Sequence, residues 1–259
     1  MVERPWVRAR LDSFRRRFPT AYWRGRNAVA LGEWWWARRQ AAPDREQDDK
    51  DNKDNRGRDV YDDAFWDFHG TGDWEGLGAL ILRYCPARSV VDVGCGQGIL
   101  LEGFRRVDPS LALLGYDGSP TASSRARARG LTVDLLDVVA LSRTEAGTIA
   151  HRIAAFDLAL CLEVAEHIPS WHSGKLLTML AGAPRLVFSA AHPNQGGQLH
   201  VNEQPARYWI DRLAVLGFRV SPFDDALRAE LQSLALPPWY KENIHAFERS
   251  AAQVKSTSP

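Results

Sequence analysis

The stretch Ser89-Val-Val-Asp-Val-Gly-Cys-Gly-Gln-Gly98 constrains this chain more than any other: an apolar run closes on an acid and then places glycine at 94, 96 and 98. Such a run reads as a buried strand, and the amphipathic residues after it read as a helix. Glycines at alternate positions let the backbone turn sharply and approach a ligand with no Cβ in the way. Strand, glycine turn and helix in that order imply a nucleotide-type cofactor. The spacing narrows the ligand. A dinucleotide fingerprint needs a further glycine where this chain has Ile99, and no Gly-Lys-Ser/Thr follows to make a phosphate loop.

From Trp74 onward apolar runs alternate with amphipathic stretches. The pattern predicts helices at about 74–85, 98–106, 120–129, 171–182, 205–216 and 223–233. It predicts strands at 88–93, 111–117, 131–136, 156–162, 185–190, 217–221 and about 241–249. Alternation of this kind means a mostly parallel, doubly wound α/β sheet with helices on both faces and ligands beyond the carboxyl ends of its strands.

The chain divides into three parts by composition. Residues 1–40 form an arginine-rich extension in which Val7, Leu11, Phe14 and Phe18 recur at helical spacing, and a second helical stretch runs through Trp34-Trp35-Trp36. A basic helix of this kind docks on the main domain or a second subunit, or adheres to an anionic membrane surface as a peripheral contact. Residues 41–58 carry almost no apolar side chain and read as a flexible charged linker. Residues 59–259 form the main domain, opened by a lid-like aromatic segment at 59–74 that contains Trp66 and His69.

Overall charge is balanced at Lys+Arg 33 against Asp+Glu 32, so no nucleic-acid partner is expected. Three cysteines without paired spacing give neither a disulfide framework nor a zinc site. No apolar run is long enough to cross a bilayer and no signal peptide is legible, so the expected location is cytoplasmic.

The glycine segment resembles motif I of the Rossmann-like S-adenosylmethionine (SAM)-dependent methyltransferases, an acid followed by Gly-x-Gly-x-Gly. Further motifs of that family recur in order. The second predicted strand ends in Asp117-Gly-Ser119, where the family has an acid for the ribose hydroxyls. The third ends in Asp137-Val138, the pair that family members place around adenine. The fourth, Phe156-Asp157 through Leu162-Glu163-Val-Ala-Glu166-His167-Ile, is similar to the stretch beside the methyl-transfer centre. The resemblance implies SAM as cofactor, held by Asp92, Gly94, Cys95, Gly96, Gly98, Asp117, Ser119, Asp137, Val138, Leu162 and Glu163. It also implies a seven-stranded sheet whose last strand is antiparallel.

Methyl transfer to an aliphatic hydroxyl requires a base in place, so histidines at strand ends are informative. His167 follows the fourth strand; His192 and His200 lie in a polar connection after the fifth that is too long for a mere connector. The segment His200-Val-Asn-Glu-Gln-Pro-Ala-Arg-Tyr-Trp209 resembles a stretch bordering the acceptor pocket in methyltransferases of the glycan and natural-product type. His200 is the expected general base and His167 the second candidate. Trp66, His69, His192, Asn202, Tyr208 and Trp209 are the expected acceptor contacts.

The expected activity is O-methylation of a sugar or secondary-metabolite hydroxyl, the acceptor being a small molecule or glycan and the site holding no metal. Glu163, Glu166, His167 and His200 also resemble the metal site of small-RNA 3′-terminal 2′-O-methyltransferases, which gives a metal-assisted alternative. A SAM-binding partner protein without catalysis is the other.

Overall fold

The computed structural model describes residues 30–35, 37–38, 61, 63–68 and 70–250. The stretch from Val7 to Phe18, the segment read as a linker and His69 lie outside the described residues. Helices α1 (Asp63–Phe68) and α2 (Trp74–Tyr84) precede β1 (Ser89–Val93), α3 (Ile99–Val107), β2 (Ala112–Asp117), α4 (Pro120–Ala128) and β3 (Val133–Leu135). There follow α5 (Arg143–Ile153), β4 (Leu158–Cys161), α6 (Ser173–Leu180), β5 (Arg185–Phe188) and α7 (Ala206–Val215). The chain closes with β6 (Phe218–Val220), α8 (Asp224–Leu231), α9 (Pro238–Asn243) and β7 (His245–Arg249).

Seven strands form one sheet in the order β3-β2-β1-β4-β5-β7-β6. Neighbours from β3 to β5 are parallel, and β7 runs antiparallel between β5 and β6. Val91 registers with Leu114 of β2 on one side and Ala159 of β4 on the other. The chain winds outward in both directions from that seam, so the loops after β1 and β4 diverge and open a crevice at their carboxyl ends.

Both faces of the central strands are buried, which is why they read as continuous apolar runs. Val91, Val93, Ala159 and Cys161 join Leu176 and Leu180 of α6 in one core, while Val90, Leu158 and Leu160 meet Leu77 and Ile81 of α2 in the other. Each buried Leu or Ile contributes roughly 1.5–3 kcal/mol relative to exposure. The crevice therefore stands on the most firmly packed part of the molecule.

Three helices, α1, α5 and α9, are absent from the sequence expectation, and the last strand starts later than expected. Helix α5 was not anticipated: among its residues Ala146 and Ile153 are fully buried, so its apolar stripe is thin. Its signal is the capping box, in which Ser142 Oγ accepts from Glu145 N at 3.2 Å and Glu145 Oε2 accepts from Ser142 N at 2.7 Å. The last strand begins at His245 rather than near 241, because Pro238 at the first position of α9 starts a short helix there.

Residues 30–35 are helical. Trp34 is buried, its indole N–H donating to the His167 carbonyl at 3.1 Å, so this part of the extension packs on the main domain. Among the described residues no helix is long and apolar enough to cross a membrane.

Candidate active site

The glycine turn after β1 is built by backbone conformations that L side chains rarely adopt. Gly94 has φ +86°, and a Cβ there would lie 2.2 Å from Val164 Cγ2 in the turn after β4. Gly98 is the left-handed N-cap of α3 and packs against Leu131 and Ala126. The turn is fastened to the end of β2. Gly94 N and Cys95 N donate to the Tyr116 carbonyl at 2.7 and 3.1 Å, and Gly96 N donates to Asp117 Oδ2 at 2.7 Å. Asp117 Oδ1 accepts from Ser119 N at 2.8 Å, which fixes the carboxylate between two loops.

These elements wall a cavity of about 740 Å³ at the carboxyl ends of the strands. Of the residues assigned to the cofactor from sequence, Asp92, Gly94, Cys95, Gly96, Asp117 and Ser119 line it, as do Asp137, Val138, Leu162 and Glu163. Gly98 does not; its role is to start α3. Asp137 accepts from Val139 N at 2.9 Å and forms an ion pair with Arg38, whose guanidinium also sits over the Trp34 ring at 5.0 Å. Trp34 and Arg38 are wall residues that sequence reasoning assigned to an appendage.

The rest of the wall is aromatic and acidic, and its Trp66 ring lies against Gly96 of the glycine turn. Tyr61 stacks on Phe65 at 4.3 Å, Trp66 meets both edge-on, and Trp239 and Tyr240 close another side. His167 and His200 both line the cavity and meet edge to face with ring centroids 4.8 Å apart. Tyr61 Oη and His167 Nδ1 are 3.0 Å apart, and His200 Nδ1 lies 3.3 Å from Glu203 Oε1.

The other expected acceptor contacts lie elsewhere. Asn202 is buried beside the cavity wall, donating its amide to the carbonyls of Ala165 and Ile168 at 3.4 and 3.1 Å and to Ser173 Oγ at 3.1 Å. Trp209 packs on Phe188 in the core at 5.4 Å, and Tyr208 pairs with Arg212 on the outer turn of α7. His192 lines a separate small cavity with His245 and Trp209. None of these four residues lines the chamber.

Three acids set the electrostatics, Asp92 and Glu166 buried and Glu163 half-buried. Burial raises Asp92 to about 7, with the Asp117 carboxylate adding to the effect. Burial also raises Glu163, against hydrogen bonds from Asn243, Ser189 and Gln195 that lower it. Glu166 is fully buried, and burial with Glu163 nearby holds its carboxyl well above the usual range. Among the described residues neither Glu166 carboxylate oxygen has a partner at ordinary hydrogen-bond geometry, although the backbone N–H groups of Glu166 and Ala191 and the Glu163 carboxyl lie close enough to act on it. Glu166, His167 and His200 bring ligand-type atoms within 4.8 Å of one another. A cation placed among these acids would favour their ionised forms against the effect of burial.

Asp92 supplies a test of this environment. A carboxyl raised on folding binds its proton more tightly in the folded state, so its contribution is fully present below the unfolded pKa of about 3.9 and is lost as pH climbs to about 7. Asp92→Asn removes that loss. Denaturant unfolding at pH 4.5 and pH 8 is expected to show the variant gaining about 2–4 kcal/mol on the wild type over that interval. A difference independent of pH would mean that Asp92 is not desolvated.

A parallel sheet with a single reversed strand beside its edge, opening at the β1–β4 seam, is the architecture of class I SAM-dependent methyltransferases. The chain belongs to the methyltransferase-domain family, whose model matches residues 72–212, more than half of it. Over 82 residues it is 34% identical to the ubiquinone biosynthesis O-methyltransferase of Cronobacter sakazakii, covering 32% of each chain. Over 137 residues it is 29% identical to the enzyme of that name from Pseudomonas paraeruginosa, covering 50% of each. The chain thus spans a third to a half of the length of these relatives. Among solved structures, the sugar N-methyltransferase KedS8 from a Streptoalloteichus species superposes with a TM-score of 0.49 at 15% identity, over 70% of this chain and 87% of that one.

SAM is the cofactor of the family. The cavity fits it on its own chemistry: glycines that leave room for a closely apposed ligand, an oriented buried carboxylate at Asp117, and acids suited to a sulfonium charge.

Proposed function

We propose that this protein transfers the methyl group of SAM to a hydroxyl on a small ring-bearing acceptor, a sugar or a secondary metabolite, with His200 as general base and His167 beside it. The observation that carries the reading is the placement of both imidazoles in the cavity that begins at the glycine turn. SAM supplies a methyl already activated on a sulfonium, and the C–S bond breaks as the acceptor oxygen forms the new C–O bond. The chain's own task is to align acceptor and methyl, which contributes roughly 7–11 kcal/mol in such reactions. His200 takes the hydroxyl proton as the oxygen attacks. Tyr61, Phe65 and Trp66 present ring faces and edges to a cyclic acceptor and keep water from it. The names of the two relatives support an oxygen acceptor.

The test uses isotopically labelled SAM with phenolic and sugar hydroxyl acceptors. Label transfer to a member of the panel, with S-adenosylhomocysteine but not NAD raising the melting temperature, is the expected result. Stabilisation by S-adenosylhomocysteine with no transfer to any acceptor pool would favour a cofactor-binding partner protein instead.

One observation favours a second reading. The buried carboxylate of Glu166 beside His167 and His200 is a donor set that suits a divalent cation, which would polarise the acceptor oxygen directly. Turnover after exhaustive chelation separates the two: under the histidine-base reading it persists in full, and a loss that Mn²⁺ or Mg²⁺ restores assigns these residues to an ion.

A further inference from the structure

Glu203 stands one residue beyond the asparagine that the sequence singled out, and its position in the fold is unlike that of a connector residue. Its side chain is only 2% exposed. Glu203 Oε2 accepts from Asn194 N at 3.0 Å, and Oε1 accepts from Gly196 N at 2.8 Å. The same Oε1 is the atom that faces His200 Nδ1 at 3.3 Å. The connection between these residues is wound tightly about the carboxylate: Asn194, Gly196 and Leu199 all have positive φ, at 79°, 73° and 59°. Asparagine and glycine enter the left-handed region readily, but such a conformation at Leu199 persists only where surroundings enforce it, and a buried carboxylate collecting backbone N–H groups is such an enforcement.

An ionised carboxylate only accepts hydrogen bonds. A neutral imidazole facing it is therefore obliged to carry its proton on Nδ1, which leaves the Nε2 lone pair free. Nε2 lies beside Gly197, where a Cβ would come within 2.2 Å of it, and both Gly197 and His200 are wall residues of the cavity. We infer that Glu203 is the positioning residue of the site: it fixes the tautomer and orientation of His200, so that Nε2 is the nitrogen presented to the acceptor hydroxyl. The inference rests on the proposed role of His200 for its kinetic consequence, but the tautomer itself is observable without turnover.

Two measurements decide it. Long-range nitrogen–proton NMR on the full chain with S-adenosylhomocysteine bound is expected to show His200 as the Nδ1–H form. An Nε2–H form in the wild type overturns the inference, whatever the kinetics. The second measurement is a double-mutant cycle. Glu203→Ala is expected to lower kcat at least thirtyfold while leaving the Kd of S-adenosylhomocysteine within about threefold, and to cost less than twofold further in a His200→Ala background. Glu203→Gln, which can keep an oxygen toward Nδ1 and Gly196 N but turns an NH2 onto the Asn194 N–H, is expected to restore the Nδ1–H form and only part of the rate. Equal losses in both backgrounds would show that Glu203 acts through the loop and not through His200, and would overturn the inference. Should His200→Ala prove fully active, the base assignment falls, while the wild-type tautomer still decides the role of Glu203.

Discussion

His200→Ala is expected to reduce kcat at least a hundredfold while S-adenosylhomocysteine binds within about twofold of the wild type. General-base catalysis contributes roughly 10²–10⁴-fold where the attacking group must lose a proton. The side chain lines the cavity with its contacts to Glu203 and the His167 ring rather than to the glycine turn or Asp117. Under the proposed reading its removal deletes a proton acceptor and leaves the glycine turn and Asp117 undisturbed. Single-turnover kinetics with calorimetric measurement of S-adenosylhomocysteine affinity separates the two quantities. An unchanged kcat would remove His200 from the mechanism, and a parallel loss of affinity would place it among the cofactor contacts.

Gly94→Ala is the second large effect, and it falls on binding. The added Cβ meets Val164 Cγ2 at 2.2 Å, far inside van der Waals contact, and the residue must also hold φ +86°. The left-handed backbone alone costs an L residue about 1–2 kcal/mol. Relief of the clash moves either the glycine turn or the turn carrying Glu163, Val164 and Glu166, and both are walls of the cavity. Calorimetry is expected to show the Kd of S-adenosylhomocysteine raised at least a hundredfold, with a lower melting temperature. Gly147→Ala is the matched control: it lies in α5 with no atom within 4 Å of the added Cβ, so binding should be unchanged. Retained affinity in Gly94→Ala would mean that the cofactor does not depend on the shape of this turn.

Legibility in the sequence followed the range of the interactions involved. Asp92, Gly94, Gly96, Asp117 and Ser119 are assigned through the resemblance of the glycine turn and strand tips to the methyltransferase motifs, and all line one cavity. Their placement needs only that a buried strand stop and the chain turn, which local residues dictate. The Asn202, Tyr208 and Trp209 assignments rested on a pattern of the right residue types. Their destinations are set by partners far off in sequence: the carbonyls after β4 for Asn202 and the Phe188 ring for Trp209. Trp34 and Arg38 could not be placed at all from the sequence, because their contacts with His167 and Asp137 span about a hundred residues or more.

Helix α5 shows the complementary limit. Its capping box was present in the sequence as Ser142 and Glu145, yet periodicity alone passed over it because few of its residues are buried. Greater weight on the cap would have found it.

The sequence by itself determined the order of the seven strands, the cofactor-type turn at Gly94–Gly98 and the acid at the tip of β2, since each depends on backbone freedom and apolar runs within a few residues. Only the tertiary structure decided which histidines share a chamber, that Glu166 is buried, and that Glu203 faces His200. Desolvation and mutual approach arise where the loops after β4 and β5 fold against one another, and no short window of residues contains both sides of that contact.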